Sequence, residues 1–214
     1  MSKSPIVGWI HEPVAAILGT RGKVTVLRIL SQAQTPLPQR EVARRTGMAL
    51  RTVELALDDL LITGIVERMV GGRERLVRIR SGHRLTPAVQ ALLRAGADQW
   101  PALRGELRAL AASGNDPKLL AVVVVGPVAR REERLGEPID LLIVAEDVAT
   151  AERWVARYHE TEDGLASRFG VFVRADGYDL DSAKSMWATH TSPPGRSLNE
   201  AELIHGRPLT ELLG

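Results

Sequence analysis

The 214-residue chain contains no cysteine. That absence excludes a disulfide framework, a thiolate zinc centre and a cysteine nucleophile. Long apolar runs are missing too. The longest, Leu119 to Val125, falls far short of the roughly 20 residues a spanning helix needs. The N-terminus, MSKSPIVGWIHEP, lacks the apolar stretch and small-residue cleavage pattern of a secretory signal. No membrane partner is therefore expected, and the cytoplasm is the expected location. The five histidines, His11, His83, His159, His190 and His205, are scattered, and no pair has metal-ligand spacing. No metal or cofactor is expected. Ser113 and Ser182 have no evident base, so no nucleophile triad is read.

What is present is a globular composition, 44% hydrophobic and 25% charged, enough to build a core. The net charge of +2 conceals an asymmetry. Residues 1–95 hold 15 Lys or Arg against 7 Asp or Glu, a net of +8; residues 96–214 hold 13 against 19, a net of −6. Such a split points to two modules with different partners, the basic one suited to a polyanion such as nucleic acid.

The first half reads mainly as helices. Residues 4–18 form an opening helix containing Trp9, and Lys23 to Ala33 a second one. Pro38 is expected as the first residue of a third helix, continued by Gln39 to Arg45. Gly47 stops that helix, and Leu50 to Leu61 forms the next. Ile65 to Met69 and Glu74 to Ile79 alternate as strands around the hairpin signal Val70-Gly71-Gly72-Arg73. Thr86 is the expected N-cap, with Pro87 first, of a helix over 88–112 that is bent or broken at Pro101. After Ser113–Pro117 the texture changes to strands alternating with helices. Strands are expected at Leu119–Val125, Ile139–Val144 and Val171–Arg174, and a helix at 148–168. Ser192–Arg196 reads as a surface loop, and Glu200–Ile204 and Leu209–Leu213 as short closing helices. The fold class is α/β, α+β overall, in three parts: 1–95, a connecting helix or linker at 96–114, and 115–214.

The window Gln39 to Asp58 holds two helices around a glycine turn, with small Ala43 where the helices approach. Gly47 falls where positive φ is cheap. The second helix presents Arg51, Thr52, Glu54 and Leu55 outward, and a helix of this size fits the major groove. Arg51 and Thr52 can read a base or hold phosphate, and Glu54 can accept from cytosine. Arg40, Arg44 and Arg45 on the preceding helix suit the phosphate backbone. The hairpin that follows carries Arg68, Arg73, Arg75, Arg78 and Arg80, with Arg73 at its tip, where it can enter the minor groove or lie along phosphates. Glu54, Asp58 and Asp59 make the second helix less basic than its flanks, so phosphate contacts are expected mainly from those flanks.

On the segments GTRGKVTVLRIL, REVARRTGMALRTVELALDDLLITGIVER and GHRLTPAVQALL, residues 20–95 resemble the winged helix-turn-helix domain of ArsR- and MarR-type regulators. The resemblance implies binding to double-stranded DNA as a homodimer, with Trp9 near the surface where such regulators dimerise.

Residues 119–144, LLAVVVVGPVARREERLGEPIDLLIV, resemble the opening of minimal nucleotidyltransferases of the polymerase-β-like superfamily. In those domains a Gly-Ser holds the triphosphate, and carboxylates hold Mg²⁺ for phosphoryl transfer. Gly126 keeps the glycine, Arg130 the arginine and Asp140 the second aspartate, so these are the candidate nucleotide-binding residues. Pro127 replaces the serine and Pro138 the first aspartate. Asp176, just beyond the third expected strand, substitutes poorly for the third carboxylate. One carboxylate of three cannot hold the metal, so an inactive frame is expected, with Asp140 paired to Arg130 or Arg131. The expected function is a DNA-binding transcriptional regulator with a small-molecule or nucleotide effector as a candidate ligand. The rival is a nucleotidyltransferase of toxin–antitoxin type acting on protein or RNA.

Overall fold

The computed structural model describes residues 13–71, 74–188 and 200–213. Most of the opening helix with Trp9, the hairpin tip with Arg73, and the Ser192–Arg196 loop lie outside them. No helix among the described residues is long and apolar enough to cross a membrane. The chain divides into two compact units, Met1–Ala97 and Asp98–Gly214, and folds as a mixed α/β protein with two separate sheets.

In the first unit, α1 (Pro13–Leu18) precedes α2 (Arg21–Gln32), whose N-cap Thr20 accepts a hydrogen bond from the Lys23 backbone at 3.2 Å. A two-residue strand, β1 (Leu37–Pro38), leads into α3 (Gln39–Thr46). Gly47 ends α3 in the left-handed region, φ 66°, which costs a residue without a Cβ nothing. Then come α4 (Leu50–Ile62), β2 (Val66–Gly71), β3 (Glu74–Ile79) and α5 (Thr86–Ser113), the last continuing into the second unit. The sheet order is β1-β3-β2, antiparallel throughout. Val26, Leu27 and Leu30 of α2, Val42 of α3, and Val53, Leu57 and Leu60 of α4 close on Val66 and Val77 of the hairpin.

Two boundary expectations are corrected here. Pro38 is not the first helical residue; it is the N-cap of α3, extended at ψ 143° and paired with Leu76. The strand it belongs to is too short to announce itself by alternation. Thr86 does not cap α5. It is the first residue of the helix, buried, and its hydroxyl donates to the Arg80 carbonyl at 2.8 Å and not to the helix. Nor does Pro101 break α5; lacking an N–H, it leaves the Ala97 carbonyl without a helical donor.

The second unit contains β4 (Leu119–Val125), α6 (Gly126–Arg130), β5 (Ile139–Ala145), α7 (Val148–Glu160), α8 (Glu162–Phe169), β6 (Val173–Asp179), α9 (Leu180–Ala188), β7 (Glu202–Gly206) and α10 (Leu209–Leu213). The sheet order is β6-β5-β4-β7. β5 and β6 are parallel, joined by the helical crossover α7–α8, while β4 is antiparallel to both its neighbours. Side chains alternate across a strand. Val122, Val124, Leu141, Ile143 and Val173 therefore face Leu103 and Leu107 of α5, Trp154 and Tyr158 of α7, and Leu165 of α8. Ala121, Val123, Leu142 and Val144 face Ala183 of α9 and Leu209 and Leu212 of α10. The Tyr158 hydroxyl donates to the Leu107 carbonyl at 2.9 Å, and burial pushes its pKa up. It acts as a fixed donor.

The segment expected as a closing helix, Glu200–Ile204, instead supplies β7. It pairs with the edge of β4, burying Ile204 completely, and tertiary context decides so short a segment. Gly206 then turns away at φ 85°, where a Cβ would sit 2.1 Å from the Leu120 carbonyl oxygen. The single helix expected over 148–168 is two, parted at Thr161. The third strand runs further than Arg174, to Asp179, and α9 behind it was not expected. Asp179 caps α9 by accepting from the Ser182 backbone at 2.9 Å and its hydroxyl at 2.8 Å.

Candidate nucleic-acid interface

The turn at Gly47 sets α4 against α3 and leaves one flank of α4 in solvent. Val53, Ala56, Leu57 and Leu60 are buried, whereas Arg51, Thr52 and Asp58 are exposed. Glu54 and Leu55 are half-buried. The same flank carries Ile62 at the far end of the helix, 74% exposed. Arg51 approaches Glu54 only to 3.5 Å, a loose pair that costs little to open.

On α3, Arg44 donates twice to Glu41 at 2.7 Å, and Arg45 donates to the same carboxylate at 2.6 Å. These hydrogen bonds lower the Glu41 pKa from 4.5 to about 2. Two guanidiniums sharing one carboxylate leave one positive charge in excess. Arg40, one turn before Arg44, is exposed and has no charged partner among the described residues.

The hairpin sorts its arginines by strand parity. Arg68 lies opposite Val77, and Arg75 lies opposite Val70. Arg68 and Arg75 thus share the hairpin face that also bears buried Val66 and Val77. That face adjoins α4, because Arg68 reaches Asp58 at 3.2 Å. Arg75 is exposed and has no charged partner among the described residues. The opposite face holds Arg78 and Arg80, both bound to Glu67 at 2.6 and 3.2 Å. The sequence groups all five hairpin arginines; the structure turns Arg78 and Arg80 away from α4.

In the second unit the candidate residues also meet, but differently. Gly126 is buried against Asp140, whose Oδ2 would lie 3.0 Å from a Cβ placed there. Asp140 is not paired with Arg130 or Arg131, as the sequence leads one to expect. Arg174, directly opposite it in the parallel register of β5 and β6, approaches Oδ1 at 2.7 Å. The approach is off the hydrogen-bond line, so this is an ion pair and not a directed bond. Arg130 is instead drawn to Glu132 at 3.0 Å and Glu200 at 3.2 Å. Asp176 lies within β6, opposite Leu142 and exposed. The donors do not fit the Mg²⁺ that the nucleotidyltransferase resemblance implies. Pro138 has no side-chain ligand atom, Asp140 already faces a guanidinium, and the described residues hold no group of three His, Cys, Asp or Glu able to take a metal.

The first unit is built as a winged helix. Three solved structures are similar to the chain over part of its length. One is the solution structure of the homodimeric winged helix-turn-helix DNA-binding domain of a possible ArsR-family transcriptional regulator from Mycobacterium bovis. It is 26% identical and covers 42% of this chain and 82% of its own, with a TM-score of 0.35. A crystal structure of a possible transcriptional regulatory protein from Mycobacterium bovis is 26% identical and covers 42% and 97%, with a TM-score of 0.34. A MarR-family transcriptional regulator from a Rhodococcus species is 19% identical and covers 55% and 98%, with a TM-score of 0.33. No protein-family model matches the chain, and no curated protein matches it in sequence.

Reasoning from the sequence missed three side chains of this winged helix. Lys23 is 2% exposed, with its ammonium 3.1 Å from Asp59. Asp59 and the adjacent Asp58 counted only as unwanted negative charge on α4. The one available signal was the lysine itself, which stands among apolar residues on the inward stripe of α2.

Proposed function

We propose that the chain is a DNA-binding transcriptional regulator whose winged helix, residues 1–95, reads duplex operator DNA as a homodimer. One observation carries this reading: α3, α4 and the adjoining hairpin face expose arginines in excess of the carboxylates that bind them. In the bound state the first turns of α4 enter the major groove, with Arg51, Thr52, Glu54 and Leu55 at the base edges. Arg40, Arg44 and Arg45 lie along phosphates, which position without specifying. Arg68 and Arg75, with Arg73, follow the backbone beside the groove. Exposed carboxylate pairs are worth about 0–1 kcal/mol, so phosphates displace Glu41 and Asp58 readily. Two such helices in a dimer reach successive major grooves about 34–36 Å apart.

In this proposal residues 96–114 connect the winged helix to a nucleotidyltransferase-like frame at 115–214. That frame serves sensing or assembly, with a small molecule or nucleotide as its ligand. Transfer chemistry forms no part of this function, because Asp140 faces Arg174 and the described residues hold no group of three potential metal ligands. Two experiments test it. Selection of bound fragments from genomic DNA is expected to return a two-fold symmetric site; recovery of no duplex at low salt would overturn the reading. Incubation with labelled nucleoside triphosphates and Mg²⁺ is expected to label no acceptor. Label that disappears in Asp140→Asn would favour an enzyme acting on protein or RNA.

A further inference from the structure

Two consecutive aspartates on α4 hold opposite kinds of partner. Asp59 turns inward to Lys23 of α2, 3.1 Å away, and that lysine side chain is 3% exposed. Asp58, about 100° further round the helix, turns outward to Arg68 of β2 at 3.2 Å. The rest of the α2–α4 seam is apolar, with Val26, Leu27 and Leu30 against Val53, Leu57 and Leu60. A Cβ on Gly22 would lie 4.0 Å from that of Ala56, in ordinary contact. Apolar packing is non-directional, so this seam alone tolerates some rotation or slide of α4. A short ion pair does not, because turning α4 by one residue would carry Asp59 out of its 3.1 Å contact with Lys23.

We propose that Lys23 and Asp59 are positioning residues that fix the rotation of α4 about its own axis. They govern which bases Arg51, Thr52 and Glu54 reach, not how strongly the domain holds phosphate. A polar pair set into an apolar seam, here with Lys23 buried and Asp59 28% exposed, is a means of specifying register at little net gain in stability. The negative charge of Asp59 on α4, which weakens attraction for DNA, thereby has a use. This inference rests on the DNA-binding reading, and its test separates the two.

The full-length chain is titrated with its selected operator and with a scrambled duplex of equal length. The double variant Lys23→Met/Asp59→Asn removes both charges while keeping the side-chain volumes. Its scrambled-duplex affinity and salt slope should stay close to those of the unmodified chain, because the surface arginines are untouched. Its preference for operator over scrambled duplex should fall by about tenfold, the scale of one misread base pair. Lys23→Arg, which keeps the charge, should retain most of the preference. Preserved preference in a folded double variant would overturn the inference. If that variant does not fold, Asp59→Glu carries the test, since it keeps the charge and lengthens the strut by one methylene. Reduced preference supports the proposal, and unchanged preference refutes it. An unmodified chain with no preference for any duplex would instead defeat the DNA-binding reading itself.

Discussion

Where ion pairs are shared, two arginines hold one carboxylate in the first unit, and one arginine holds two carboxylates in the second. In the winged helix, Glu41 is shared by Arg44 and Arg45, Glu67 by Arg78 and Arg80, and Arg40 and Arg75 stand apart. In the second unit, Arg130 is shared by Glu132 and Glu200, and Arg174 is matched one to one with Asp140. The first arrangement leaves guanidinium capacity for an outside anion. The second pairs more of its arginines with carboxylates, although Arg131 and Arg134 are exposed and have no charged partner among the described residues. Net charge per module conveys the sign of this difference; the sharing of carboxylates shows where the surplus lies.

The largest expected effect sharpens that contrast. Replacing Arg40, Arg44 and Arg75 together by Ala should weaken duplex binding by about 10²–10³-fold at low salt. Replacing Arg130, Arg131 and Arg174 together should change it less than about twofold. Fluorescence anisotropy with a labelled duplex measures both; equal losses would erase the distinction between the units. Next in size, Tyr158→Phe removes the buried donor to the Leu107 carbonyl and should cost about 1–3 kcal/mol in denaturant unfolding, with duplex affinity unchanged. Smaller still, Glu41→Gln frees Arg44 and Arg45 and should raise duplex affinity about two- to fivefold; a fall would mean that Glu41 serves to orient those arginines.

The smallest effect is on pH dependence. The Arg44 and Arg45 hydrogen bonds hold Glu41 at about 2 in the folded chain, against 4.5 when free. The folded state thus favours the ionised form. The contribution of this cluster is complete above about 4.5 and is lost as pH falls toward 2. An NMR titration of the Glu41 side chain should show the low midpoint. A midpoint near 4.5 would mean that the shared pair does not persist in solution.

The helices and the hairpin of the first unit were legible because their periodicities are strong and glycine punctuates them. Gly47 announced its own left-handed turn, and Leu50 to Leu61 differs by a single residue from α4. Features set by contact at a distance were not legible. β7 is a strand because β4 offers it an edge, and nothing in Glu202–Gly206 alone requires that. Asp140 finds Arg174 through strand register, although Arg130 is nearer in sequence. The hairpin arginines could be counted from the sequence, but their division between two faces waits on the pairing of Arg68 with Val77. Asp58 and Asp59 show the same limit: their neighbours in space, Arg68 and Lys23, lie on other elements.

The most direct test of the account is the salt dependence of duplex binding by the full chain. Five phosphate contacts per protomer, from Arg40, Arg44, Arg45, Arg68 and Arg75, predict a log–log slope of about −9 for the dimer, and about −4 to −5 if one protomer binds, between about 50 and 200 mM salt. A slope near zero, or no binding at the lowest salt, would contradict it.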